Sequence, residues 1–170
     1  KLKENNVLKI ENVLILGSAP NALKARDWPL RNFNSLVVIN NAWKIRSDWT
    51  HNIFPTDFPK EKRPKPTEEQ SLISAVEYVP IQNTYGGFVY AGGTMAITAA
   101  YWSLAKFKPK NLYFFGCDMI YDSGKTHFYG QGTPDPLRKD ISLRSLEAKS
   151  TRFECFASIE GACVYNLSQE

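Results

Sequence analysis

Four apolar residues, Val13-Leu14-Ile15-Leu16, run without alternation and stop at Gly17. Such a run reads as a strand buried on both faces, as in a parallel sheet covered by helices. Gly17 permits the tight turn that must follow. Ser18 offers a cap, and Pro20 suits the first turn of a helix, where its missing N–H costs nothing. A strand, a Gly turn and a helix start together make an anion site, because free backbone N–H groups and the helix dipole point at one spot. The stretch therefore predicts a nucleotide phosphate there, or else a βα turn that binds nothing.

Further strands are expected at Leu36–Ile39, Thr50–Phe54, Tyr78–Ile81, Asn111–Phe115 and Ala162–Asn166, from β-branched and aromatic runs ended by turn residues. Helices are expected at Asn21–Arg26, from Thr67, at Met95–Lys106 and at Ile141–Glu160, with Pro109 and Gly161 as stops. The stretch 119–138 reads as a long polar loop, a length that is usually functional or disordered. Strands alternating with helices predict a single Rossmann-like α/β domain over residues 1–170, with a mainly parallel sheet. The 170 residues suffice for one full core. In such sheets ligands bind beyond the carboxyl ends of the strands, at a switch in strand order. Gly17, Ser18, Asn40, Asn41, Asp57, Cys117 and Asp118 fall there.

Composition excludes several classes. A net charge of +4 without a basic stripe does not argue for nucleic acid. The one dense basic run, Lys60-Glu61-Lys62-Arg63-Pro64-Lys65-Pro66, reads as a solvated, extended loop. No apolar run reaches membrane-spanning length and no signal peptide is visible. Three scattered cysteines, Cys117, Cys155 and Cys163, suggest reduced thiols in a cytoplasmic protein.

Motif chemistry narrows the rest. The dinucleotide fingerprint fails at Ala19, and Asn40-Asn41 stand where the ribose-binding acid is required. Gly124-Lys125-Thr126 mimics the end of a P-loop without its first Gly. No G-x-S-x-G elbow or paired zinc spacing is present. Asp118, Asp122 and His127 suit a hard ion such as Mg²⁺, against the simpler reading of solvated acids in a loop. A second Gly stretch, Ala91-Gly92-Gly93-Thr94, opens an Ala-rich helix, so two helix starts clamp one anionic ligand or the glycines serve close packing. On the first reading, Gly93→Val weakens nucleotide binding and leaves the fold largely intact.

The order of these motifs resembles a known family. A strand then Gly-Ser-Ala-Pro-Asn is followed by a strand then Asn40-Asn41, and then by Ala91-Gly92-Gly93-Thr94. Phe115-Gly116-Cys117-Asp118-Met119-Ile120-Tyr121 and Thr126-His127-Phe128-Tyr129-Gly130 complete the set. Together they are similar to the bacterial sialyltransferases of glycosyltransferase family 42. They also resemble the wider Rossmann-like group of 6-hydroxymethylpterin diphosphokinase-like and flagellar-glycosylation proteins. The resemblance implies a bacterial or phage enzyme with a CMP-sugar donor, a glycan acceptor, no metal cofactor and a His general base. It places Gly17, Ser18 and Asn21 at the donor phosphate and ribose, and Asn40 and Asn41 at the cytidine or the bridge to the sugar. Gly92, Gly93 and Thr94 would contact the nucleotide, Tyr121 and Tyr129 would reach the phosphate, and Asp118 would join the same site. Gln131 stands at the family's base position, so His127 either substitutes as the base or shapes the loop. The alternatives are a pterin or nucleotide diphosphokinase, which would need Mg²⁺, and a non-catalytic nucleotide-binding module. A homo-oligomer is compatible with each reading.

Overall fold

The computed structural model describes residues 10–118, 126–132 and 144–168. A six-stranded sheet, every pairing parallel, has the order β4-β3-β2-β1-β5-β6. The strands are β1 Asn12–Leu16, β2 Ser35–Ile39, β3 His51–Ile53, β4 Ser71–Ile73, β5 Asn111–Phe115 and β6 Cys163–Asn166. Their side chains alternate between two cores. Val13, Ile15, Val37, Ile39 and Leu112 face one, and Leu14, Leu16, Leu36, Val38 and Phe115 face the other. Val13 to Leu16 are each 0% exposed, as the unbroken apolar run requires of a central strand.

One face is covered by α1 Ala75–Thr84, α3 Met95–Phe107 and α4 Arg144–Ile159, with the single turn α2 Phe88–Ala91 leading into α3. Ala96, Ala99 and Ala100 let α3 lie close on the sheet, and Tyr101 and Leu104 fill the space beside them. The other face is covered by the 3-10 helices Pro20–Asp27 and Asn40–Lys44 and by Trp49. The first helix thus forms where Pro20 predicts it, but as a 3-10 helix, with Ala19 rather than Ser18 at its N-cap and no side-chain cap. No described helix is long and apolar enough to cross a membrane.

Two expected elements change. Tyr78–Ile81 lies inside α1, not a strand. The Glu77 carboxylate accepts the Ser74 N–H (2.8 Å), in a capping box that starts a helix despite Pro80. Pro80 is exposed, so its missing N–H falls on the solvent side. The helix expected from Thr67 is a turn instead. Gln70 folds back to accept the Thr67 N–H (3.1 Å) and donates to Ser47 O and Trp49 O (2.8 and 2.9 Å). That clasp delivers the chain into β4, a three-residue edge strand with one fully buried side chain, too short to show a period.

The winding direction reverses between β1 and β5, since β2, β3 and β4 lie to one side of β1 and β5 and β6 to the other. The switch point therefore falls beside Gly17 and Gly116, at the carboxyl edge.

Candidate functional site

At the switch point the two βα turns touch backbone to backbone. Gly17 N–H donates to Phe115 O (2.8 Å) and Ala19 N–H to Gly116 O (3.0 Å). A Cβ on Gly17 would sit 2.1 Å from Gly116 O. Gly116 has φ +68, and a Cβ there would lie 2.5 Å from Ala22 Cβ. Close approach accounts for Gly17, whose φ is not among the positive ones.

Polar side chains rise from this junction. Asn21 Nδ2 donates to Asp118 Oδ2 at 2.6 Å, joining the turn after β1 to the turn after β5. Asn40 ends β2 in the left-handed region (φ 51), which Asn tolerates better than most residues. Asn52, buried in β3, donates its amide to Val38 O (3.1 Å) and Asn40 O (3.0 Å) and so fixes that turn. Asn21 Oδ1, Asn40 Oδ1, Asn41 Oδ1, Asn52 Oδ1 and Asp118 Oδ1 are all buried without a hydrogen-bond partner. Buried polar atoms are rarely left so. Five such acceptors fall on or after four adjacent strands, β3, β2, β1 and β5, while Gln82 Oε1, Tyr101 OH, Ser103 Oγ and Arg152 Nε are buried without a partner elsewhere.

The start of α3 comes to the same edge. Thr94, 3% exposed, caps the helix by accepting the Ile97 N–H (3.1 Å). The amides of Met95 and Ala96 are left unused by the helix. Ala96 and Ile97 share a cavity of about 360 Å³ with Phe114, Cys117, Asp118 and Asn166. Glu154 of α4 also borders it, and no Lys or Arg is among its described lining residues. Asn40 and Asn41 lie on the β2 side of the edge and do not line this cavity. Gly92 is taken up by packing, because a Cβ there would meet Gln82 Nε2 at 2.2 Å, where Gln82 donates to Thr98 Oγ1 (2.9 Å). Gly93 has φ +105, so a valine at 93 would strain the backbone, and the expectation that Gly93→Val spares the fold is corrected.

The segment 126–132 docks on the first turn. Phe128 N–H donates to Ser18 O (3.0 Å), and His127 and Gly130 bridge as a two-residue hairpin. Ser18 thus contributes its carbonyl rather than a capping hydroxyl. His127 is 9% exposed, stacks on Tyr129 (5.0 Å between ring centroids) and has Gly132 packed against its ring. Its Nδ1 lies 2.9 Å from Thr126 Oγ1, which also accepts the Gly132 N–H (2.9 Å). Burial lowers its pKa, so the imidazole is neutral and able to accept a proton at neutral pH. Tyr129 is 44% exposed beside it, and Gln131 points to solvent. Tyr121 and Asp122 lie outside the described residues.

Two other reactive side chains serve structure. His51 lies at the amino end of β3, packed between Trp102 and Phe107 and within reach of Ser35 and Thr50 hydroxyls. Burial, with Lys106 nearby, lowers its pKa to about 4. The Cys117 thiol is pushed up to about 12 by burial and by Asp118, which favours the protonated thiol at neutral pH. Among the described residues no three His, Cys, Asp or Glu side chains group as metal ligands. Sequence reasoning missed Asn52, Glu154 and Asn166. Only Asn52 left a signal, as an amide inside the apolar-flanked His51-Asn52-Ile53-Phe54.

No protein-family model and no curated protein sequence matches this chain. Solved structures do. A mammalian sialyltransferase matches with TM-score 0.54 and 13% identity over 95% of this chain and 71% of that one. A mammalian sialyltransferase in complex with Gal-beta-1-3GalNAc-ortho-nitrophenol matches with TM-score 0.52 and 14% identity, over 91% of this chain and 69% of that one. The likeness bears on a sialyltransferase-like fold, and neither on bacterial family 42 nor on the diphosphokinase group. This chain has a Rossmann-like, sialyltransferase-like glycosyltransferase fold.

Proposed function

We propose that this chain is a glycosyltransferase of sialyltransferase type, as the likeness to bacterial family 42 implies, using a CMP-sugar donor and a glycan acceptor without a metal. The observation that carries the reading is the row of five unpartnered acceptor oxygens along the carboxyl edge of a sialyltransferase-like fold. Ribose hydroxyls and the cytosine amino group are donors that would satisfy such oxygens. The phosphate would lie at the start of α3, where amides and helix dipole favour an anion. Asp118 and Glu154 line the same cavity as Ala96, so the phosphate would sit against the helix start and the neutral parts of the ligand against the two carboxylates.

In this reading His127 accepts the proton of the acceptor hydroxyl. That oxygen forms a bond to the anomeric carbon as the bond from this carbon to the phosphate oxygen breaks, and CMP leaves with the electron pair. Tyr129, stacked on His127, would reach the phosphate, as the resemblance implies.

A ligand panel read by thermal shift tests the proposal. CMP and CMP-sialic acid, each at about a hundredfold excess over Kd, should stabilise the fold by about 2.7 kcal/mol. For a chain of this length the melting temperature should rise by about 5 °C or more. ATP should not raise it, and Mg²⁺ should change neither result. Stabilisation by ATP only with Mg²⁺ would instead support a diphosphokinase. A CMP shift without turnover on any sugar nucleotide would support a non-catalytic binding module.

A further inference from the structure

We infer that the amino-terminal edge of the sheet carries a second binding site, for an acidic saccharide. A cleft of about 710 Å³ opens there between the end of the 3-10 helix Pro20–Asp27, the residues after the 3-10 helix Asn40–Lys44, and the segment 64–70. It shares no lining residue with the cavity at the carboxyl edge. The inference therefore does not rest on the nucleotide reading.

Charge gives the first argument. The lining holds Arg26, Lys44, Arg46 and Lys65 against a single acid, Asp48. Arg46 is fixed, its side chain 7% exposed. Its Nε and Nη2 donate to Asp48 (2.6 and 2.8 Å) and its Nη1 to Ala25 O (2.7 Å). That pair cancels, and the hydrogen bond from Arg46 holds the Asp48 carboxyl below its ordinary range, so the acid stays charged and occupied. Arg26, Lys44 and Lys65 are exposed, and they set the positive field of the cleft.

Fixed geometry gives the second. The basic run read as a solvated loop is clamped to the body. Arg63 donates to Phe58 O (2.8 Å) and lies over the Phe54 ring at 4.5 Å, and Pro64 is buried. Trp43 donates its indole N–H to Lys62 O (3.0 Å), which pins the run and stands the indole in the cleft wall. The Lys44 ammonium lies over the indole, 5.5 Å from its centroid, so ring and cation form one platform on which a sugar ring can pack, and Arg26, Lys44 and Lys65 accept carboxylate, sulfate or phosphate groups on that sugar. Three cations are too few and too localised to track a nucleic-acid backbone.

Calorimetric titration with a heparin-derived hexasaccharide tests this. The wild type should bind it with an affinity that falls as salt rises. The double variant Lys44→Glu/Lys65→Glu should bind about tenfold more weakly or worse, with the wild-type melting temperature and the wild-type CMP shift. Trp43→Phe should weaken hexasaccharide binding while keeping the charges. No binding by the wild type, or equal binding by the double variant, overturns the site. Inorganic phosphate binding as tightly as the hexasaccharide overturns the saccharide assignment. So does tighter, lysine-dependent binding to phosphatidylserine vesicles, which would make the cleft a membrane contact.

Discussion

Turnover of a CMP-sugar should fall about a hundred- to ten-thousand-fold in His127→Ala, the range that a general base contributes. CMP affinity should stay near wild type, because the acceptors proposed for the nucleotide are the unpartnered oxygens of Asn21, Asn40, Asn41 and Asp118. The alternatives for the base are poor. His51 lies at the opposite edge with its pKa near 4. Gln131 cannot accept a proton at neutral pH, and Asp118 is held by Asn21 at 2.6 Å. The pH profile supplies a second reading. Burial lowers the His127 pKa, so the base stays neutral below the pH at which a free imidazole protonates, and the rate should fall only as pH drops through that lowered value. His127 also packs in its hairpin, so melting curves and CMP titrations must accompany the rates. Full turnover by a folded His127→Ala would remove His127 from the chemistry.

Gly17→Ala should destabilise the fold by about 3 kcal/mol or more, at the upper end for overpacking. The added methyl would stand 2.1 Å from Gly116 O and 2.7 Å from Gly116 C, both backbone atoms that no side-chain rotation can move away. Relief requires parting β1 from β5, the two central strands that carry the switch point. Gly161→Ala is the contrasting case. Its φ is +79, but nothing lies within 4 Å, so only backbone strain of about 1 kcal/mol is expected. Chemical denaturation of the two variants checks the difference. Equal stability for Gly17→Ala and wild type would contradict the close packing of the two turns.

These two positions illustrate what was legible in the sequence. The unbroken run at Val13–Leu16 identified a central parallel strand, and Asn111–Phe115 and Met95 onward were recognisable from apolar runs and an Ala-rich face. The glycine at 17 marked the right turn for a partly wrong reason. Its freedom of φ is not used, and its lack of a side chain is. The helix at Tyr78–Ile81 was hidden because β-branched and aromatic residues with a proline outweighed the Ser74–Glu77 capping box. Strand β4 was hidden because Gln70 clasps two distant carbonyls, a tertiary contact with no local period. At the site, Asn21 and Asp118 meet across 97 positions of sequence, which the strand order explains and local pattern cannot. The supporting amide of Asn52 and the cavity wall of α4 emerged only with the packed sheet.

The claim that this edge binds a CMP-sugar is tested most directly by a crystal structure of the protein with CMP bound. The account predicts ribose or cytosine donors on the free oxygens of Asn21, Asn40, Asn41 or Asp118, with the phosphate at the amides of Met95 and Ala96. CMP seated in the cleft between Arg26 and Lys65, with the carboxyl edge empty, would contradict it.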